Sequence, residues 1–155
     1  MLSQPVDRYR RRHLSYIKIH DLTDVLDEMR FQVMSDLHLE FGSQCSTFEI
    51  PSCAPNLILA GDIGRLSDYD LFADFLETQC SNFQHVSLVL ANHEFYGIGR
   101  RNGLKLAAQL VDEPRFRKRL KISNRTRIKL ADDVTLFKTY ALGRSLIITM
   151  SIRSI

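Results

Sequence analysis

The pattern that decides the fold begins with FQVMSDLH at residues 31–38. A short apolar run is followed at once by polar residues, and the same order returns in LILAGD at residues 57–62 and in VSLVLANHE at residues 86–94. The second run has no alternation of apolar and polar residues, which is typical of a strand buried on both faces. Strands that alternate with helices through right-handed crossovers form parallel sheets. The sequence therefore predicts an α/β fold with parallel core strands.

The spacing of apolar residues predicts where the elements lie. Strands are expected at about residues 31–35, 57–61 and 86–91, and helices at about residues 67–79 and 101–112. The expected apolar stripes of these helices are Tyr69, Phe72, Ala73 and Leu76, with Phe75 beside them, and Leu104, Ala107, Ala108 and Val111. The remaining predictions are a loop over residues 42–55, a short helical turn opened by Pro114, a hairpin formed by residues 127–130 and 134–137, and a strand over residues 146–150.

Length and composition favour one domain. The chain has 155 residues, 45% of them hydrophobic, which is enough for a single core. We expect residues 1–30 to be an N-terminal extension with one short amphipathic helix from about Leu22. Residues 31–155 are expected to form the domain.

The charge distribution does not point to nucleic acid. The net charge is +3, and charged residues make up 25% of the chain, as in an ordinary soluble protein. Two basic clusters occur at residues 8–12 and 115–121, but aromatic residues are not interleaved with them as stacking on bases requires. We expect solvated faces and no nucleic-acid partner; attraction of anionic substrates or RNA is the alternative.

Cysteine usage and hydropathy bear on the compartment. The three cysteines show no CxxC spacing, so neither a disulfide framework nor a zinc ribbon is predicted. Reduced thiols fit a cytoplasmic location. No apolar stretch reaches the roughly 18 to 20 residues of a membrane span, and no membrane partner is expected. The oligomeric state is left open.

Polar residues follow each of the three strands. They are Asp36 and His38, then Asp62, then Asn92 and His93. Taken singly, each motif is also typical of a turn, and a lone histidine is more often a core residue than a ligand. Ligands of α/β proteins gather at the carboxyl ends of parallel strands, and Asp, His and Asn suit divalent cations such as Mn, Fe and Zn. The order of the motifs therefore predicts a metal site on one rim of the sheet.

The three motifs together resemble the calcineurin-like metallophosphoesterase family. They are SDLH at residues 35–38, AGDIGR at residues 60–65 and LANHE at residues 90–94. DLHLE at residues 36–40 and HEFYG at residues 93–97 are similar to a fungal-type branch, whereas Ala91 stands where the family usually has glycine. The resemblance covers roughly residues 31–137, the N-terminal half of the family's fold. It implies an incomplete β-sandwich flanked by helices, with the second half truncated.

The resemblance also implies a role for each motif residue. Asp36 and His38 would bind the first of two divalent metal ions, Asp62 would bridge both, and Asn92 would bind the second. His93 would not bind metal but would protonate or stabilise the leaving oxygen. The implied enzyme is a hydrolase, a metal-dependent phosphoesterase that cleaves phosphate mono- or diesters with a metal-bound hydroxide as nucleophile. The identity of the ions, Mn, Fe or Zn, and the phosphoester substrate are left open.

One departure from the family supports an alternative. The family completes its site with three further histidines, but no histidine follows His93 in this chain. The alternative is a truncated or frameshifted, catalytically impaired relic that acts at most as an interaction module.

Overall fold

A four-stranded parallel sheet forms the centre of the protein. The computed structural model describes residues 15–16, 30–124, 128–131, 134–140 and 146–152, with side chains over most of residues 30–124. The strands are β1 Ser15–Tyr16, β2 Phe31–Met34, β3 Asn56–Leu59, β4 His85–Val89 and β5 Leu120–Ser123. Strands β2 to β5 are parallel neighbours in sequence order, and β1 pairs antiparallel with β2.

The predicted α/β class and the three predicted parallel strands are confirmed. Each apolar run becomes a strand in register with the next, so that Phe31 lies opposite Asn56 and Asn56 opposite His85. The sequence did not predict β5, which pairs with β4 through Val86 and Leu120. Two residues of the expected N-terminal extension contribute β1. The helix expected from about Leu22 lies outside the described residues.

Helix α1, Tyr69–Asn82, covers the sheet with the predicted apolar stripe. Phe72, Ala73 and Leu76 are fully buried, and Phe75 beside them is 2% exposed. They pack in one core with Leu57 and Leu59 of β3 and Val86 and Leu88 of β4. The helix begins two residues later than predicted because residues Leu66–Asp68 form a 3₁₀ turn.

Helix α2, Gly99–Asp112, buries a face that overlaps the predicted one only in part. Its buried residues are Gly103, Ala107 and Leu110, whereas Ala108 and Val111 are exposed. Gly103 lies so close to Phe95 that an added Cβ would come within 2.5 Å of the phenylalanine ring. Ala107 and the partly buried Leu104 belong to both the predicted and the observed face.

The later part of the chain forms a separate antiparallel sheet. A 3₁₀ turn at Pro114–Phe116 confirms the helical turn predicted at Pro114. Strands β6 Ile128–Ala131, β7 Val134–Tyr140 and β8 Leu146–Ile152 pair in that order, which confirms the predicted hairpin and last strand. Among the described residues, no helix is long and apolar enough to cross a bilayer.

Candidate metal centre

The loops that follow β2 and β3 lie side by side at the carboxyl ends of these strands. The Asp36 N–H donates to the Gly61 carbonyl at 3.1 Å, and the His38 N–H donates to the Asp62 carbonyl at 3.0 Å. The Leu39 N–H continues the pairing with Ile63 at 2.8 Å. The first two sequence motifs are therefore held in a fixed register beyond the ends of the strands.

The backbone of these loops is left-handed at the residues that carry the motifs. Asp36, His38 and Asp62 have φ angles of 55°, 51° and 54°. They are three of the five non-glycine residues with positive φ in the described part of the chain. Such backbone costs of order 1–3 kcal/mol per residue and persists where the surroundings enforce it, often at functional sites. The conformation sets where these polar side chains leave the main chain.

Asp62 connects the second motif to the third. Its Oδ1 accepts hydrogen bonds from the N–H groups of Asn92 at 3.2 Å and His93 at 3.0 Å. Asp62, for which the family resemblance implies the role of bridging ligand, therefore also orients the loop after β4.

Glu94 connects the loop after β3 to the loop after β4 from a buried position. Its side chain is fully buried, and its two oxygens accept the N–H groups of Ile63 at 2.8 Å and Ala91 at 2.7 Å. Burial raises the pKa of this carboxyl to about 7, while the hydrogen bonds from the backbone act in the opposite direction. Sequence reasoning gave Glu94 no role, although it is the last residue of the third motif.

His38, Glu40 and His93 bring three potential ligand atoms together. The Nδ1 atoms of the two histidines are 3.2 Å apart. Oε1 of Glu40 lies 2.7 Å from Nδ1 of His93 and 3.9 Å from Nδ1 of His38. In the described part of the chain, this is the one group of three or more His, Cys, Asp or Glu residues whose ligand atoms all lie within 4.8 Å of one another. We call it the His–Glu–His cluster.

The structure places the five predicted site residues on one rim but does not bring all their side chains into one cluster. His38 and His93 belong to the His–Glu–His cluster; Asp36 and Asp62 do not. Asp36 and Asn92 are exposed to solvent. Sequence analysis did not propose Glu40, because the family's metal ligands include no residue two positions after His38. Its position in the DLHLE motif was the one signal that could have indicated it.

The donor set of the cluster fits a metal ion. Two imidazoles and a carboxylate suit Zn and Fe(II). Oε2 of Glu40 is buried, and no hydrogen-bond partner for it occurs among the described residues. A buried carboxylate needs compensation of its charge, and a cation bound between the two histidines would supply it.

Two other residues that could take part in chemistry, Arg65 and His85, do not belong to this cluster. Arg65, which follows the second motif, donates to Oδ2 of Asp68 from Nε at 3.0 Å and from Nη2 at 2.8 Å. His85 opens β4 at the opposite end of the sheet, as expected of a histidine without a ligand role.

Comparison with known proteins adds one distant likeness. No protein-family model and no curated protein matches the sequence. A crystal structure of the phosphopantetheinyl hydrolase of Mycobacterium tuberculosis is similar to this chain, with a TM-score of 0.45 and 21% sequence identity. The match covers 63% of this chain and 37% of that chain.

Proposed function

We propose that this protein is a metal-dependent phosphoesterase of the calcineurin-like type. One observation carries the proposal: three consecutive parallel strands end in Asp-x-His, Gly-Asp and Asn-His motifs, and hydrogen bonds between their loops gather them on one rim. The left-handed backbone at three of the motif residues supports it, because such strain is usually retained where function requires it.

The proposed ligands are Asp36, His38, Asp62 and Asn92. Asp62 accepts backbone hydrogen bonds through Oδ1, and a carboxylate keeps further lone pairs for cations. Divalent ions bound here supply a Lewis acid that lowers the pKa of a water molecule and stabilises negative charge on phosphate oxygens. The exposed positions of Asp36 and Asn92 leave the rim open to a substrate.

His93 is the proposed proton donor for the leaving oxygen. Its Nδ1 faces Glu40 and His38. An imidazole has two nitrogens, so Nε2 is the nitrogen that this arrangement leaves for a proton transfer. Phosphate mono- or diesters are the substrate class that such a rim would serve.

Metal-dependent hydrolysis by the purified protein tests the proposal. After dialysis against Mn, elemental analysis should find metal on the chain, and p-nitrophenyl phosphate or its bis ester should be cleaved. Chelation should stop the cleavage, and restored Mn should return it. Asp62→Asn should lose both metal and turnover, whereas Asp70→Asn, on the exposed face of α1, should match the wild type. A chain that cleaves neither ester at saturating Mn would contradict the proposal.

The interaction-module alternative has no specific observation in its favour. Among the residues with described side chains, the large exposed hydrophobic ones are Phe41, Leu71, Tyr96 and Val111. Phe41 and Tyr96 contact the rings of His38 and His93 and so border the rim of the candidate metal centre, where a substrate would also bind; Leu71 and Val111 lie on α1 and α2.

A further inference from the structure

We propose that Phe41 and Tyr96 form a subsite for a flat aromatic ring in the leaving group of the substrate. The inference rests on the proposed function and deepens it, because it names the class of ester that the rim would cleave. That class is a phosphoester whose alcohol part carries an aryl ring or a nucleobase. Neither residue belongs to the proposed metal ligands.

Both rings are exposed to solvent directly beside the candidate site. Phe41 is 64% exposed and Tyr96 is 47% exposed, and they are the two aromatic residues among the four large exposed hydrophobic ones in the part of the chain with described side chains. The ring centroids of Phe41 and His38 are 6.2 Å apart, and those of Tyr96 and His93 are 4.3 Å apart. Apolar side chains that are exposed together at one place mark a binding site more often than single ones do.

The four rings form one chain of contacts. His38 and His93 lie between the two exposed rings, and their own centroids are 4.2 Å apart. An exposed ring therefore stands at each end of the histidine pair. Since His93 is the proposed proton donor for the leaving oxygen, the leaving group has to lie beside His93. Tyr96 contacts that histidine and so borders the same space.

The same local structure presents both rings. Each aromatic residue follows its histidine by three positions, and its N–H donates to the carbonyl of that histidine at 3.1 Å. Each is followed by a glycine with left-handed backbone, at φ angles of 70° and 85°. The two turns are HLEFG at residues 38–42 and HEFYG at residues 93–97. Leu39 and Glu94, which follow the histidines, are fully buried, so both turns are anchored in the interior and hold their rings beside the histidines.

A pair of exposed aromatic rings favours a flat ring over a saturated one of the same size. Aromatic rings gain from offset or edge-to-face contacts beyond the burial of apolar area. Stacking of bases on aromatic side chains works in the same way and tolerates different bases. A quaternary ammonium group also binds aromatic faces, so it is the competing ligand that an experiment has to exclude.

Calorimetric titration of the Mn-loaded protein with phosphonates, which are not hydrolysed, tests the subsite. Benzylphosphonate should bind about 2- to 10-fold more tightly than cyclohexylmethylphosphonate, which has the same charge and a similar size but no flat ring. The double variant Phe41→Leu/Tyr96→Leu should lose this preference. The matched control is Phe41→Tyr/Tyr96→Phe, which keeps both rings and should retain it. Both positions are exposed, and surface substitutions usually change stability little.

Three binding results would overturn the subsite. The first is equal affinity of the wild type for the two phosphonates, or no binding of either. The second is a preference that persists unchanged in the leucine double variant. The third is tighter binding of 3-trimethylammoniopropylphosphonate than of benzylphosphonate, which would assign the rings to a quaternary ammonium group.

Turnover shows which kind of ring the subsite takes. Adenosine 5′-monophosphate and ribose 5-phosphate differ in the base, and benzyl phosphate and cyclohexylmethyl phosphate differ in the flat ring. A higher kcat/KM for the ring-bearing ester in the first pair alone assigns a nucleobase, and in the second pair alone an aryl group. Equal kcat/KM within both pairs would overturn the subsite and leave the proposed function standing. A ring preference in phosphonate binding without hydrolysis of any ester would do the reverse.

Discussion

The two ends of the parallel sheet carry similar residue types but differ in how these are arranged. At the carboxyl ends of β2, β3 and β4, acidic side chains and histidines converge and share hydrogen bonds. At the amino ends, contacts are ordinary connections between neighbouring chain segments, such as Asn56 Nδ2 donating to the Arg30 carbonyl at 3.1 Å. Left-handed non-glycine backbone occurs there too, at the exposed Arg117 and Lys118. Convergence of potential ligand atoms, and not strain alone, distinguishes the end of the sheet that carries the candidate site.

Two histidines, one at the beginning of β4 and one after its end, show the same difference. His85 opens the strand, where partial burial and then the positive charges of Lys121 and Arg119 lower its pKa. His93 follows the strand and lies 2.7 Å from the carboxylate of Glu40. The same side chain therefore has a lowered pKa beside cations at one end and lies beside an anion at the other.

The largest expected effect at the functional end is that of Asp62→Asn on hydrolysis. We expect a loss of about 10³-fold, equivalent to the several kcal/mol that metal ions contribute to the transition state. Asp36→Asn should cost less, because Asp62 is the proposed ligand of both ions. Measured kcat/KM values for the two variants check this, and equal losses would contradict the bridging role.

Stability provides the control for that comparison. Asn retains a side-chain oxygen for the N–H groups of Asn92 and His93 and tolerates left-handed backbone. The free energy of unfolding of Asp62→Asn should therefore stay within about 0.5 kcal/mol of the wild type. Urea denaturation of metal-free protein measures it.

An intermediate effect is expected for Glu94→Ala. It removes the acceptor of two backbone N–H groups in a fully buried place, which costs about 2–4 kcal/mol of unfolding free energy. At the other end of the sheet, Asn56→Ala removes a neutral hydrogen bond and should cost about 1 kcal/mol. Urea denaturation of both variants at about pH 5 tests the difference, because this pH lies below the raised pKa of the Glu94 carboxyl and burial of the ionised form lowers the stability of the wild type only at higher pH. A larger loss in Asn56→Ala would reverse our ranking of the two ends.

The smallest expected effect concerns the pH dependence contributed by His85. Its folded-state pKa lies below the ordinary value of 6.5, so the unfolded chain binds the proton first as the pH falls. Stability associated with His85 is therefore complete above about pH 6.5 and is lost as the pH falls through the folded-state pKa. His85→Gln should lose less stability than the wild type between about pH 7.5 and 5.5. Identical slopes for the two proteins would show that His85 titrates normally.

The central fold was predictable because its strands are short, largely apolar runs. Their hydrophobicity and their separation along the chain were enough to predict the strands at residues 31–34, 57–59 and 86–89. Strand β5 was not recognised because Leu120 and Ile122 alternate with lysine inside a basic cluster. The face of α2 was misjudged because Gly103, which contributes no apolar side chain, is the point of closest approach to Phe95.

The site was predictable as a location more than as a set of contacts. The motifs indicated one rim, but their order could not show that Glu40 reaches His93 or that Asp36 and Asp62 stand outside the cluster. Those outcomes depend on backbone turns at Asp36, His38 and Asp62. Only a few per cent of non-glycine residues adopt left-handed backbone, although aspartate and histidine are enriched among them. The residue types alone therefore do not predict these turns.

The left-handed backbone at Asp36, His38 and Asp62 makes alanine a poor probe of these positions. An L-residue with a Cβ pays about 1–2 kcal/mol for that conformation, whereas glycine does not. An alanine scan would therefore combine loss of a side chain with a backbone penalty and exaggerate the importance of the rim for folding. Replacement by asparagine and by glycine in parallel separates the two, since the first keeps a polar side chain and the second relieves the main chain.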